Sequence, residues 1–198
     1  MQTTLPLIQK HFLKPLNVGE LKSESFTGRA GSMICGATLR VSLRIDNSQR
    51  ITEARFKAAG CSFLIAAASL LTEQIKGERT GEVAALVRAP ANTLNQTLGE
   101  IPAEKAHCAS LVCEALLAAI TSYSDSARDD WEGDEALICT CFCVSEKTID
   151  NAIDAGGLRT IAEVTNACNA GGGCRSCYSL IEDILNDHWQ TASIQSTR

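Results

Sequence analysis

Aromatic side chains are scarce in this sequence. Phe, Trp and Tyr make up 5% of its 198 residues, so any core is built from Ala, Leu, Ile and Val. Long apolar runs are missing as well. The longest, Phe63–Leu71, is interrupted by Ser69, whereas a bilayer span needs about 20 residues, so no membrane span is expected. The first residues, Met-Gln-Thr-Thr-Leu-Pro-Leu-Ile-Gln-Lys, lack a basic start followed by an apolar stretch, so no secretory leader is expected and a cytoplasmic location is the default. A positive surplus is absent too: the net charge is −5, which gives no support to nucleic-acid binding. No phosphate-cradling loop and no Ser/His/Asp arrangement stands out, which argues against a turnover enzyme.

What the sequence does hold is cysteine, 10 in all. That is below the roughly 8–10% of a disulfide scaffold, and the chain is too long to need such staples. In a reducing compartment this many thiols point to thiolate chemistry or metal. They stand at 35, 61, 108 and 113, then at 139, 141, 143, 168, 174 and 177.

Charge divides the chain. Residues 1–128 carry 14 Lys/Arg against 11 Asp/Glu, a net of +3, and residues 129–198 carry 4 against 12, a net of −8. The change falls in the aperiodic stretch Ser122–Glu135, which reads as a boundary. The resulting division is 1–125, an acidic linker 126–136, a second domain 137–190 and a tail 191–198. In the first part Leu39, Val41, Leu43 and Ile45 alternate with Thr38, Arg40, Ser42 and Arg44. Beyond the turn Asp46–Gln49, Thr52, Ala54, Phe56 and Ala58 alternate with Glu53, Arg55 and Lys57. Two such runs predict an antiparallel hairpin, with Phe26–Ser32 as a third strand. Helices are predicted at Leu5–Leu13, Ser62–Lys76, Thr80–Arg88 (ending before Pro90) and Ala103–Tyr123, the last with a stripe of Ala106, Ala109, Cys113, Leu116, Leu117, Ile120 and Tyr123. The fold class is therefore α+β, a small antiparallel sheet with helices, followed by a small, mainly helical domain. That second domain has helices at Ser145–Ala155 and Arg175–Trp189, the latter with Leu180, Ile181, Ile184 and Leu185 on one face. A short turn lies around Thr160–Asn166.

The topology brings three cysteines together. Cys35 precedes the first hairpin strand and Cys61 follows the second, so both lie at one end of the hairpin although 26 positions apart. Cys61 also opens a helix, where free N–H groups favour a thiolate. Cys108 begins the long helix beside His107. Three thiolates and an imidazole suit tetrahedral Zn²⁺ or an iron–sulfur cluster, while three buried inert cysteines are the plain alternative. The second constellation is Cys139-Thr-Cys141 and Cys174-Arg-Ser-Cys177. Two close pairs from different segments form a four-ligand signal for zinc or a [2Fe–2S] cluster. The run Gly171-Gly-Gly173 lets backbone approach, and N–H groups at a helix start suit cluster sulfurs better than zinc. Cys143 and Cys168 read as bystanders.

These stretches resemble the NifU family of iron–sulfur cluster assembly proteins. Residues 1–125 are similar to the U-type, IscU-like scaffold domain in Gly31-Ser-Met-Ile-Cys-Gly36, Phe56-Lys-Ala-Ala-Gly-Cys61, Ser69-Leu-Leu-Thr-Glu-Gln-Ile-Lys-Gly77 and Ile101-Pro-Ala-Glu-Lys-Ala-His-Cys108. Residues 137–189 are similar to the [2Fe–2S] domain of the bacterioferritin-associated-ferredoxin type in Ala136-Leu-Ile-Cys-Thr-Cys-Phe142 and Gly171-Gly-Gly-Cys-Arg-Ser-Cys177. No stretch resembles the further C-terminal domain, with another C-x-x-C, of full-length members.

The resemblance implies a scaffold. Cys35, Cys61 and Cys108 would build a transient [2Fe–2S] or [4Fe–4S] cluster from iron and from sulfur given by a cysteine desulfurase, then pass it to apo-proteins. Cys108 would accept the sulfur as a persulfide. Cys139, Cys141, Cys174 and Cys177 would hold a permanent [2Fe–2S] cluster as an electron source, and the family implies a homodimer. Three motifs depart from the family. Ala37 stands where it has Asp, Ser62 where it has Gly after the cysteine, and Ile101 and Ala103 depart from the Leu-Pro-Pro-x-Lys segment read by Hsc-type chaperones. With no carboxylate at Ala37, the fourth coordination position falls to His107, water or a partner's thiolate. The competing reading is a [2Fe–2S] electron carrier whose N-terminal domain is structural or zinc-binding.

Overall fold

A computed structural model describes residues 4–33, 35–88, 105–129, 131 and 133–195. The helix stop at Pro90, residues 101–104 of the third scaffold-like motif, Asp130 and Glu132 of the acidic stretch, and residues 196–198 of the tail lie outside the described residues. The chain forms two compact units, Met1–Tyr123 and Ser124–Arg198.

In the first unit a helix α1 (Thr4–Leu13) precedes a three-stranded antiparallel sheet in the order β1 (Phe26–Gly31), β2 (Thr38–Ile45), β3 (Ile51–Ala59). Leu39, Val41, Leu43, Ala54 and Phe56 are buried on one face, as strict alternation requires. Thr52 breaks the expected pattern. A register shift between Arg44 and Ile45 pairs Ile45 with Ile51, so Ile51 takes the buried place and Thr52 is exposed. Segment 17–19 adds a short edge on β3, through Asn17 O accepting from Phe56 N and Gly19 N donating to Phe56 O. Gly31 pairs with Thr38 and Thr38 with Ala59, so the loop carrying Cys35 and the exit toward Cys61 leave the sheet at the same end.

Among the described residues three helices follow: α2 (Ser62–Gln74), α3 (Thr80–Arg88) and α4 (Ala106–Asp129). Helix α2 has three Ala and three Leu among its 13 residues and buries Leu64, Ala66, Ala67, Ala68 and Leu71. Helix α4 buries more than the expected stripe, since Leu111, Val112 and Ala115 are also inside while Ala106 is exposed. By length and apolarity α4 could cross a membrane, but half of it is buried within the protein. One close approach fixes its place. A Cβ on Gly28 of β1 would lie 2.0 Å from the Ala115 carbonyl oxygen and 2.3 Å from the Ala119 nitrogen, so strand and helix backbones touch. Helix α4 runs six residues past Tyr123, into the stretch read as a boundary, and Arg128 pairs with Asp125 one turn away.

The second unit has a two-stranded ladder not expected from the sequence, β4 (Leu137–Cys139) with β5 (Val144–Ser145). Three helices follow: α5 (Glu146–Gly156), α6 (Ile161–Cys168) and α7 (Tyr178–Gln195). Ser145 caps α5 by accepting from Thr148 N. The segment read as a turn is α6, made helical by a capping box between Thr160 and Glu163. Ile149, Ile153, Val164, Ile181 and Leu185 form the core. Leu180, expected inside, is exposed, and α7 begins at Tyr178 rather than Arg175.

Candidate functional site

The hairpin end of the first unit carries the first thiol set. Cys61 is the N-cap of α2, with no side-chain cap of its own, and Cys108 lies in the first turn of α4. Their sulfurs are 3.4 Å apart. His107 Nε2 stands 3.6 Å from Cys108 Sγ and 3.7 Å from Cys35 Sγ, so the imidazole links Cys35 to this pair. Cys35 is exposed on its loop, Cys61 half-buried and Cys108 buried. Ala37 is buried, and a Cβ on Gly60 would come 3.1 Å from its methyl group.

The three thiols differ in acidity. The Ser32 hydroxyl, then the Ala37 N–H, hold Cys35 below the ordinary thiol value. Burial raises Cys61, but the Leu64 and Phe63 N–H groups, Cys108 and Lys105 outweigh it, and the net shift is downward. Burial, then Cys61, pushes Cys108 up to about 12. Cys35 and Cys61 are thus the more acidic thiols of the metal-free set and Cys108 the least acidic. Ser32 and Lys105 were missed at the sequence level. Each lies three residues before a cysteine, a spacing without weight until the loop and helix start are seen.

The second unit gathers the other set. Cys141 Sγ and Cys174 Sγ are 3.4 Å apart, and Cys139 and Cys177 also interact through their side chains. Gly173 tests whether a four-thiol cluster fits. A Cβ there would come 2.7 Å from Cys141 Cβ and 2.8 Å from its Sγ, so glycine alone leaves backbone this close to the thiols. The N–H of Cys174 serves Cys141, those of Ser176 and Cys174 serve Cys174, and that of Gly171 serves Cys177. Four soft donors, three of them met by N–H groups, suit an anionic iron–sulfur group. The Ser176 hydroxyl, 2.9 Å from Cys174 Sγ, is the largest of the effects that lower this thiol to about 7. Burial drives Cys177 up to about 12 and raises Cys141.

The remaining cysteines stand apart from these contacts. Cys143 has a left-handed backbone, φ 51°, and burial raises its thiol. Cys168 ends α6 with its Sγ 3.3 Å from the Val164 carbonyl, and Cys113 is buried in α4 with a thiol near 11. Among the described residues no group of three or more His, Cys, Asp or Glu side chains is arranged to hold a metal ion as it stands. The thiols meet as contacting pairs, which ligand binding would have to draw together.

An α+β unit with thiols at its hairpin end, followed by a helical unit with a glycine-lined thiol cradle, defines a two-unit protein of thiolate chemistry. Residues 5–129 match the family model of the NifU-like N terminal domain, and residues 137–187 match that of the BFD-like [2Fe-2S] binding domain. The chain belongs to the NifU-like family. It is 37% identical over 185 residues to the nitrogen fixation protein NifU of Trichormus azollae, covering 89% of this chain and 61% of that one. To the iron-sulfur cluster assembly scaffold protein IscU 1 of Archaeoglobus fulgidus it is 32% identical over 113 residues, 57% of this chain and 71% of that one. The crystal structure of an N-terminal NifU-like protein from Brucella abortus matches with a TM-score of 0.51 and 19% identity, over 60% of this chain and 92% of that one; this likeness concerns the fold. The chain spans about three-fifths of the length of the NifU relatives.

Proposed function

We propose that this chain is a scaffold for iron–sulfur cluster assembly. It takes sulfur from a cysteine desulfurase and iron, builds a cluster on Cys35, Cys61 and Cys108, and passes it to apo-proteins. The observation that carries the reading is the meeting of these three thiols and His107 at one hairpin end, which an electron carrier does not need. The cluster there is cargo, and the graded thiols suit its handling. Cys35, exposed and acidic, is the ligand that closes in from solvent and opens again on release. Cys61 is anchored by helix N–H groups. Cys108, protonated at rest, gives up its proton when it takes sulfur, and His107, in contact with two of the thiols, is placed to receive it. His107 is also the fourth ligand proposed, in place of a carboxylate at Ala37. Zinc would suit the same donors and compete with iron.

Cys139, Cys141, Cys174 and Cys177 are proposed to hold a resident [2Fe–2S] cluster, with Cys143 outside the set. Such a group supplies single electrons. The sulfane sulfur of a persulfide needs two electrons to become sulfide, so a redox centre on the same chain has a use. A homodimer and a cytoplasmic location complete the reading. The test is transfer: chain loaded anaerobically with iron and a desulfurase is mixed with an apo-ferredoxin. The acceptor should gain its cluster from the intact chain and from Cys143→Ala, and not from Cys61→Ala. Equal transfer by Cys61→Ala overturns the proposal.

A further inference from the structure

Cys108 also borders a small cavity between α1 and α2. Leu7, Ile8 and His11 of α1 and Phe63, Ala66 and Ala67 of α2 complete its lining. It admits about one water-sized sphere. Its side chains are hydrocarbon except for the Cys108 thiol and the imidazole of His11. Water needs two to four polar partners and is poorly served there. His11 is only 8% exposed. Its Nδ1 lies 2.9 Å from Ser69 Oγ, and that oxygen also accepts from Leu16 N, so the ring is fixed. Nε2 makes no hydrogen bond among the described residues. The cavity is thus lined by one imidazole, an apolar wall and Cys108.

We propose that this cavity seats the terminal sulfur of a persulfide on Cys108, with His11 as its positioning residue. The ligand class is sulfane sulfur, and the inference rests on Cys108 being the sulfur acceptor. A persulfide adds one polarisable atom to the thiol, which an apolar lining suits better than it suits water. An imidazole can meet either form of that atom, an N–H donating to S⁻ or a bare nitrogen accepting from S–H. Loading balances as R–S–SH + Cys108–SH → R–SH + Cys108–S–SH. The donor's S–S bond breaks as the new one forms, the donor's inner sulfur is reduced as the Cys108 sulfur is oxidised so that no outside oxidant is needed, and the Cys108 proton passes by way of His107 to the donor thiol. Once seated, the terminal sulfur is walled by Leu7 and Phe63 against a second thiolate, whose attack would undo the transfer.

The metal-free full chain is loaded with cysteine persulfide, and the Cys108 peptide is followed by mass spectrometry for one added sulfur during exposure to excess glutathione. Ala67→Val fills the cavity; His11→Phe keeps a ring and removes the nitrogen. Each should shorten the lifetime of the Cys108 persulfide roughly fivefold, the order of one neutral hydrogen bond, with an unchanged circular dichroism spectrum and unchanged lifetime of a persulfide on Cys35. If Ala67→Val does not fold, His11→Phe carries the comparison. A wild-type chain that never carries added sulfur on Cys108 overturns the acceptor reading and this inference with it. A persulfide that forms and decays equally fast in the wild type and the folded variants overturns the seat alone.

Discussion

Cys174 and Cys108 are the same residue in opposite settings. One is an exposed thiol served by the Ser176 hydroxyl and N–H groups, near 7; the other is buried beside Cys61, near 12. In metal-free chain at pH 8, iodoacetamide should label Cys35 and Cys174 first, and Cys108, Cys177 and Cys113 at least about tenfold more slowly, because only thiolate reacts. A lowered thiol is ionised above its own value, so Cys174 labelling should rise through pH 7. Ser176→Ala should move that rise upward, read by peptide mass against pH. Ala37 is also a residue-scale matter. Its methyl group is buried beside Gly60, and Ala37→Asp would set a carboxylate, an exchangeable hard ligand, where none exists. Loss of the scaffold cluster to a chelator should then be faster; equal or slower loss would count against the role given to this position. Of these residues, the cysteines were legible because hairpin logic brings Cys35 and Cys61 to one end. Ser176 was not, because a serine inside C-x-x-C reads as a spacer until its oxygen is located.

At the scale of elements, β1 lies on the backbone of α4 and Gly28 permits it. Gly28→Ala should cost about 3 kcal/mol, seen as a lower urea midpoint, since the obstructing atoms are backbone and cannot rotate aside. The alternation of Leu39–Ile45 told which face is buried, but nothing in Phe26–Ser32 announces a helix pressed against Gly28. That contact is tertiary. Likewise Thr160–Asn166 read as a turn because the stretch is short and carries only two strongly apolar residues, Ile161 and Val164. The capping box from Thr160 to Glu163 makes it α6, and Thr160→Ala should cost about 1 kcal/mol in the unfolding of the second unit, with the first unit's transition unmoved. The bulge that exposes Thr52 leaves no mark in an otherwise regular alternation.

At the scale of the whole molecule, two units of opposite net charge, +3 and −8 over residues 1–128 and 129–198, share one chain. If the second unit supplies electrons for the first, the link keeps their effective concentration far above micromolar. Separating them beyond Asp129 should therefore slow cluster assembly roughly tenfold or more at micromolar concentration, timed by visible absorbance, and equal rates would dissociate the two functions. The central claim is that Cys35, Cys61 and Cys108 build a cluster over and above the one held by the second unit. The most direct measurement is iron and acid-labile sulfide per chain after anaerobic incubation with iron, cysteine and a cysteine desulfurase. The account predicts more than one [2Fe–2S] equivalent in the intact chain, falling to one when Cys35, Cys61 or Cys108 becomes Ala. An intact chain that never exceeds one equivalent, or a Cys61→Ala chain that matches it, would contradict the account.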